Sequence, residues 1–554
     1  MSAEPCRLRL WEHQDSNLGP RVYETPALTA ELCSRQKPEY LPGMTKSKTR
    51  GGGRDLLAVM LGLMLAVWAA PARSATTQPA TEPSAAAAQD KLSVTRHSIL
   101  VDGQSIDYEA TDGTMALTDE SGKTEANFFF VAYVKQPADQ PATRPITFIF
   151  NGGPGAAAVW LHLGAVGPKR IELQDNGLPG APPHRLIDNP QTWLDQSDLV
   201  FIDPVGTGYS RAAEGKKPQD FFGVEGDIDS VAGFIRLYLT RYQRWTSPKF
   251  LAGESYGTTR AAGLASHLLD RYGIDLNGII LISTVLNFQT LAPSDGNDLP
   301  YALYLPSYTA IALHHHKLQA EDAQKLLEEV SRYAMGDYLK ALAEGSALTP
   351  QARAEVVEHL SRYTGLPADL IDKADLRISP DLFRKRLLND QRMILGRFDG
   401  RITGPDMAPA SDDASFDPSL SLYLPVYAGT FNDYIRRDLK FESDLNYEVL
   451  NGRVQPWDFK GEGMGYLDVT GSLRGAMVEN PHLRILVASG YEDLATAFLA
   501  TNYTFDHLDL SGRLRNRVTQ TYYDSGHMIY HDPPSLKKLK EDVADFIAAA
   551  MKSK

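Results

Sequence analysis

LAGESYGTTRAA, residues 251–262, places one serine, Ser255, between two glycines, directly after an apolar run and before residues that favour helix. The inner five letters fit G-x-S-x-G, a sharp strand-to-helix turn that lifts a serine above a sheet. Such a turn brings backbones too close for Cβ atoms, which accounts for Gly253 and Gly257, and the following helix aims its N-terminal N–H groups and positive dipole end at the serine. The five letters alone are common. Here the run KFLA (249–252) and the helical stretch behind it supply the context that a nucleophile elbow needs.

Outward from the elbow, short apolar runs recur between Gly-containing turns and helical stretches: ITFIF (146–150), LVFID (199–203), KFLAG (249–253), GIILIS (278–283) and RILVASG (484–490). Continuous β-branched and aliphatic runs alternating with helices predict an α/β fold with a mostly parallel central sheet buried on both faces. Ahead of it, HSILVDGQSIDYEA (97–110) alternates around an Asp102-Gly103 turn and NFFFVAYV (127–134) is strongly β-prone, which predicts an antiparallel N-terminal entry. Between about 290 and 475 the rhythm stops, and AEDAQKLLEEVSRYAMGDYLKALAEG (320–345) and TPQARAEVVEHLSRYTG (349–365) read as amphipathic helices. The expected organisation is a core in two parts, 92–288 and 476–554, interrupted by a mainly helical cap insertion at 289–475 over the C-terminal edge of the sheet.

The N-terminal stretch has a different character. Basic residues from Lys46 to Arg54, an apolar run from Leu56 to Ala70 and small residues up to Ala72 have the layout of a secretory signal peptide over 44–72, and the run is shorter than the roughly 20 residues a bilayer span needs. The expectation is a secreted or periplasmic protein with no stable membrane association after cleavage. Residues 1–43 fit badly before such a signal and read as a gene-model artefact ahead of a start at Met44, while 73–91, rich in Ala, Thr, Pro and Ser, read as a flexible linker. Both cysteines, Cys6 and Cys33, fall in the first segment, so no thiol chemistry is expected of the mature chain.

The 554 residues carry a net charge of −13, and residues 1–72 hold nine Lys/Arg against seven Asp/Glu, so the acidity lies beyond residue 72. That balance argues against nucleic acid as a partner, since phosphate binding depends on clustered Lys and Arg. No metal or other cofactor is expected either: His314, His315 and His316 are adjacent, so they point in different directions on a helix.

A serine hydroxyl needs a histidine to take its proton and an acid to hold that histidine in the right tautomer. In α/β-hydrolases the acid follows a late strand and the histidine a loop beyond the next one. RILVASG leads to Glu492 and Asp493, and VTQTYYDSGHMIY (518–530) offers His527 in a Gly-His turn, with Asp524 and His531 as competitors. FNGGPG (150–155) follows a strand and can present backbone N–H groups to a substrate carbonyl; losing one donor of this kind raises a barrier by roughly 3–4 kcal/mol. No Gly-Lys-Ser/Thr follows it, so it is not a phosphate-binding P-loop, and VGTGYSR (205–211) lacks the third glycine of a dinucleotide fingerprint.

Taken in order, NGGPG (151–155), PVGTGYS (204–210), GESYG (253–257) and GHM (526–528) resemble the serine carboxypeptidase family of α/β-hydrolases, over about 140–285 and 480–535. The resemblance implies Ser255 as nucleophile, His527 as base, Asp493 as acid, and the backbone N–H groups of Gly153 and Tyr256 as oxyanion donors. It further implies that Asn151, Gly152 and Glu254 help bind a substrate's C-terminal carboxylate.

The chain departs from the family in four places. The family's second carboxylate-binding glutamate falls at Ala165, its tryptophan before the NGG asparagine at Ile149, its Cys-Ser-Ser at Ala156-Ala157-Ala158, and its Asp-Gln-Pro-Val at Ile202-Asp203-Pro204-Val205. Two carboxyls that share a proton work best at acid pH, so Glu254 without that partner predicts a less acidic optimum. The sequence therefore reads as a secreted serine-type carboxypeptidase acting on peptide or protein substrates through an acyl-enzyme. The rivals are an esterase or acyltransferase with the same triad, motivated by Ala165 and Ile149, and a non-catalytic binding protein of the same fold.

Overall fold

The computed structural model describes residues 90–138, 143–459, 465–509 and 511–552; residues 1–43, the signal-like segment 44–72 and all but the last two residues of the 73–91 linker lie outside the described residues. The chain enters as a long hairpin of β1 (Lys91–Val101) and β2 (Gln104–Thr118), in which Val101 faces Gln104 across a two-residue turn. Asp102 and Gly103 have φ of 49° and 77°. Left-handed backbone at both positions gives the turn a twist that matches the strands, and Asp-Gly adopts it readily. β3 (Thr124–Lys135) continues the antiparallel run.

From β4 (Ile146–Phe150) the pairing becomes parallel, with β5 (Asp198–Ile202) on one side of β4 and β6 (Lys249–Ser255) on the other. Then come β7 (Gly278–Thr284), β8 (Arg484–Gly490) and β9 (Val518–Tyr523), giving the order β1-β2-β3-β5-β4-β6-β7-β8-β9, with the two-residue strand Arg211–Ala212 pairing off this path on β3. The reversal at β4 opens a crevice at the carboxyl ends of β4 and β6, where open α/β sheets bind ligands. NGGPG follows the first of these ends and Ser255 closes the second.

Why these runs lack polar alternation is visible in what they touch. Successive side chains of a strand point to opposite faces, and both faces are covered. Ile149, Phe250, Ala252, Ile280 and Ile282 join one apolar cluster with Phe546 and Ile547 of the last helix, Pro533–Met551. Phe148, Phe150, Leu251, Ile279 and Leu281 join the other, with residues of the helices Val224–Arg241 and Tyr256–Tyr272.

The segment 289–475 divides according to what it packs on. Helices between Leu299 and Arg386 build a third cluster of their own around Leu303, Tyr308, Val330, Leu360 and Phe383, which also takes in Leu494 and Phe498 just beyond β8. By contrast, the helix Pro418–Arg437 adds Tyr423, Tyr427 and Phe431 to the first core cluster, and the helix Thr470–Glu479 adds Leu473 and Met477 to the second. The three histidines end the helix Leu299–His314 and the turn after it; the His315 ring is half-buried, with Nε2 2.7 Å from the Gly400 carbonyl.

Candidate active site

Ser255 ends β6 and caps the helix Tyr256–Tyr272 with φ 60° and ψ −131°. A non-glycine residue there is strained by about 1–3 kcal/mol, a conformation held only where the surroundings enforce it. They do so closely: a Cβ on Gly253 would run into the Gly257 carbonyl, and one on Gly257 would crowd the Phe150 and Asn151 backbone. The serine is partly exposed, and its neighbours Glu254 and Tyr256 are buried.

The loop after β4 lies against this elbow. A Cβ on Gly152 would collide with the backbone nitrogens of Tyr256 and Gly257, so only glycine allows the approach, and Gly153 has φ 99°. Tyr256 is the first helical residue, and its N–H is among those a helix leaves without an internal partner. Arg260, fully buried, ties loop to helix by donating to the Asn151 carbonyl (2.6 Å) and to Asp227 (2.8 Å). Asn151 is oriented by its own bonds. Its Oδ1 accepts from the Leu161 N–H (3.0 Å), which leaves Nδ2 to donate to Glu254 Oε1 (3.1 Å).

Asp493 and His527, from the loops after β8 and β9, meet at 2.7 Å between Oδ2 and Nδ1, and both are buried. Asp493 Oδ1 also accepts from the N–H groups of Ala495 (2.6 Å) and Thr496 (2.9 Å), and Oδ2 from the Thr496 hydroxyl (2.6 Å). A carboxylate so surrounded by donors is an acceptor, so His527 carries its proton on Nδ1, and in the neutral ring Nε2 is free to take one. Burial opposes charge on that ring, but the Asp493 carboxylate, helped by Glu254, holds its pKa above the ordinary value. Nε2 has no hydrogen-bond partner among the described residues.

Backbone anchors set where this ring stands. Thr284 of β7 pairs with Ser255, and the preceding Ser283, at a register shift with φ 50°, donates its hydroxyl to the His527 carbonyl (2.6 Å). The His527 N–H donates to the Phe398 carbonyl (2.6 Å). Arg401 holds the same loop by donating to the Asp524 carbonyl (2.7 Å) and the Ser525 hydroxyl (3.2 Å), while its fork engages Asp399. Gly490 and Gly526 are required because a side chain on either would strike the facing backbone.

The competing residues lie elsewhere. Glu492 is buried beside Arg401 and Asp399 with its pKa pushed up to about 8 by burial, and Asp524 is exposed. His531 stacks on Tyr423 at 3.7 Å and bonds the Tyr427 hydroxyl through Nε2 (2.8 Å). Two features have no counterpart in the sequence reading: the Phe398–Arg401 strap, which no motif marks, and Tyr530, a phenol three positions beyond the GHM histidine. Glu254 is buried, and burial lifts its carboxyl to about 7. Ala165, also buried, brings no polar side-chain atom to this region.

A mostly parallel sheet, a serine on a strand-to-helix elbow and an Asp–His pair on the loops after two later strands define an α/β-hydrolase. The chain belongs to the serine carboxypeptidase family, whose sequence profile matches residues 113–532. It is 25% identical over 184 residues to serine carboxypeptidase S10 family member 1 of Dictyostelium discoideum, covering 33% of this chain and 39% of that one. It is 24% identical over 227 residues to the pheromone-processing carboxypeptidase KEX1 of Candida albicans, covering 38% and 29%. These matches thus span well under half of each relative. The crystal structure of a prohormone-processing carboxypeptidase, KEX1(delta)p of Saccharomyces cerevisiae, shares the fold, with a TM-score of 0.50 and 18% identity over 79% of this chain and 91% of that one.

Proposed function

We propose that this protein is a serine carboxypeptidase that releases C-terminal residues from peptides through an acyl-enzyme on Ser255. The observation that carries this reading is the buried 2.7 Å Asp493–His527 bond, which leaves Nε2 without a partner among the described residues, on a loop anchored to the residue beside Ser255's strand partner. In the proposed sequence, the Ser255 hydroxyl attacks the scissile carbonyl as His527 Nε2 accepts its proton, and Asp493 supports the imidazolium. The oxyanion is held by the N–H groups of Gly153 and Tyr256. The C–N bond then breaks, with His527 returning the proton to the leaving amine, and water hydrolyses the ester by the same route. In this reading Asn151, Gly152 and Glu254 receive the terminal carboxylate.

An N-blocked dipeptide, its C-terminal amide and its ester, compared by kcat/KM, test this. The free acid is expected to exceed the amide by roughly tenfold or more, the size of effect expected when a polar pocket loses its charged ligand. Equal values would favour the second reading, an esterase or acyltransferase, which Ala165 and Ile149 motivate. The preference should also depend on pH. Glu254 can donate a hydrogen bond only when protonated, so the preference should be largest on the acid side and fade as pH rises through about 7. An optimum for the peptide acid near pH ~4, the range of an ordinary carboxyl, would contradict this.

Export to the periplasm or the exterior is supported by the composition of 44–72, and mass spectrometry of the mature N-terminus, expected near residue 73, checks it. Among the described residues no helix is long and apolar enough to cross a membrane.

A further inference from the structure

Among the described residues, the buried side-chain atoms without a hydrogen-bond partner include, besides His527 Nε2, Glu254 Oε2 and the Tyr530 hydroxyl. The phenol lies beside Glu254 and the Asn151 amide without forming a bond of good geometry to either. Its ring is pinned from behind. A Cβ on Gly164 would collide with that ring and with the Tyr427 hydroxyl, and the neighbouring Ala165 presents only a methyl. The other groups here are committed: the Tyr427 hydroxyl to His531, and Asn151 Oδ1 to the Leu161 N–H. Burying a hydroxyl without a well-formed hydrogen bond costs stability, and a ligand that brings an acceptor to it recovers that cost.

We propose that Tyr530 is a substrate-binding residue whose hydroxyl donates a hydrogen bond to the peptide's terminal carboxylate, next to Glu254 and Asn151, where Ala165 offers no polar group. This rests on the carboxypeptidase reading above. Glu254, its carboxyl raised by burial, supplies a second O–H at and below neutral pH, so the anionic ligand meets donors rather than a like charge. The Tyr530 phenol, whose pKa is raised well above its ordinary value by burial, stays a donor throughout.

The test is Y530F. Its ratio of kcat/KM for the N-blocked dipeptide acid over the amide is expected to fall roughly 10- to 100-fold, mainly through KM, as for loss of a hydrogen bond to a charged group. Competitive inhibition by an N-acyl amino acid should weaken in parallel. Because the hydroxyl makes no hydrogen bond of good geometry to any of the described residues, Tm is expected to equal or exceed that of the wild type. A lowered Tm would overturn the proposal by showing the hydroxyl bonded within the free protein. An equal loss on acid and amide would also overturn it, leaving only a packing role for the ring. If the wild type itself shows no preference for the acid, the carboxypeptidase reading fails; if the preference survives in Y530F, only the role of Tyr530 fails.

Discussion

Ser255→Ala is expected to lower kcat on a peptide acid by about 10⁴- to 10⁶-fold and to abolish labelling by a fluorophosphonate, with Tm nearly unchanged. Loss of the nucleophile from a unit of this kind removes almost all its catalysis, and a residual rate over water comes from binding and the oxyanion donors alone. Stability should survive because the substitution removes one partly exposed oxygen and keeps the elbow's enforced backbone, in which alanine meets the same strain as serine. Full activity in this variant would end the assignment of Ser255. A large fall in Tm with lost activity would show instead that the serine is structural.

Asp493→Asn should reduce kcat by about 10⁴-fold, because an amide can face His527 Nδ1 with a donor and so impose the tautomer that protonates Nε2. It should also destabilise the protein. The carboxylate accepts from two backbone N–H groups, the Thr496 hydroxyl and the His527 ring, all buried. An asparagine keeps one acceptor oxygen and turns an NH₂ toward donors on its other side, leaving at least one buried donor unpaired at about 1–3 kcal/mol. Steady-state kinetics and thermal melting measure the two effects. An unchanged kcat would show that the Asp493–His527 bond plays no part in turnover.

Much of the fold was legible because the relevant forces are local or periodic. Unbroken apolar runs such as ITFIF and GIILIS announce strands covered on both faces, and Phe148 and Ile149 do reach opposite clusters. Asp102-Gly103 announced a tight hairpin because few residue pairs enter left-handed backbone twice in succession. The elbow was legible for the same reason: its glycines stand where a Cβ would strike neighbouring backbone. The insertion was less legible. Amphipathic periodicity marks a helix with a buried face but not what buries it, so nothing local separates the helices of the third cluster from Pro418–Arg437, which joins the core.

Sequence by itself thus determined the strand and turn chemistry, the position of one strained serine and the short list of late acids and imidazoles. Only tertiary structure decided between the adjacent acids, bonding Asp493 to His527 and burying Glu492 within the electrostatic reach of Arg401 and Asp399. It also brought Phe398 and Arg401 onto the histidine loop and set Tyr530 beside Glu254. The reason is physical. Backbone conformation follows from sterics and hydrogen bonds among near neighbours, whereas the partner of a side chain depends on which distant loops the sheet order carries to one edge.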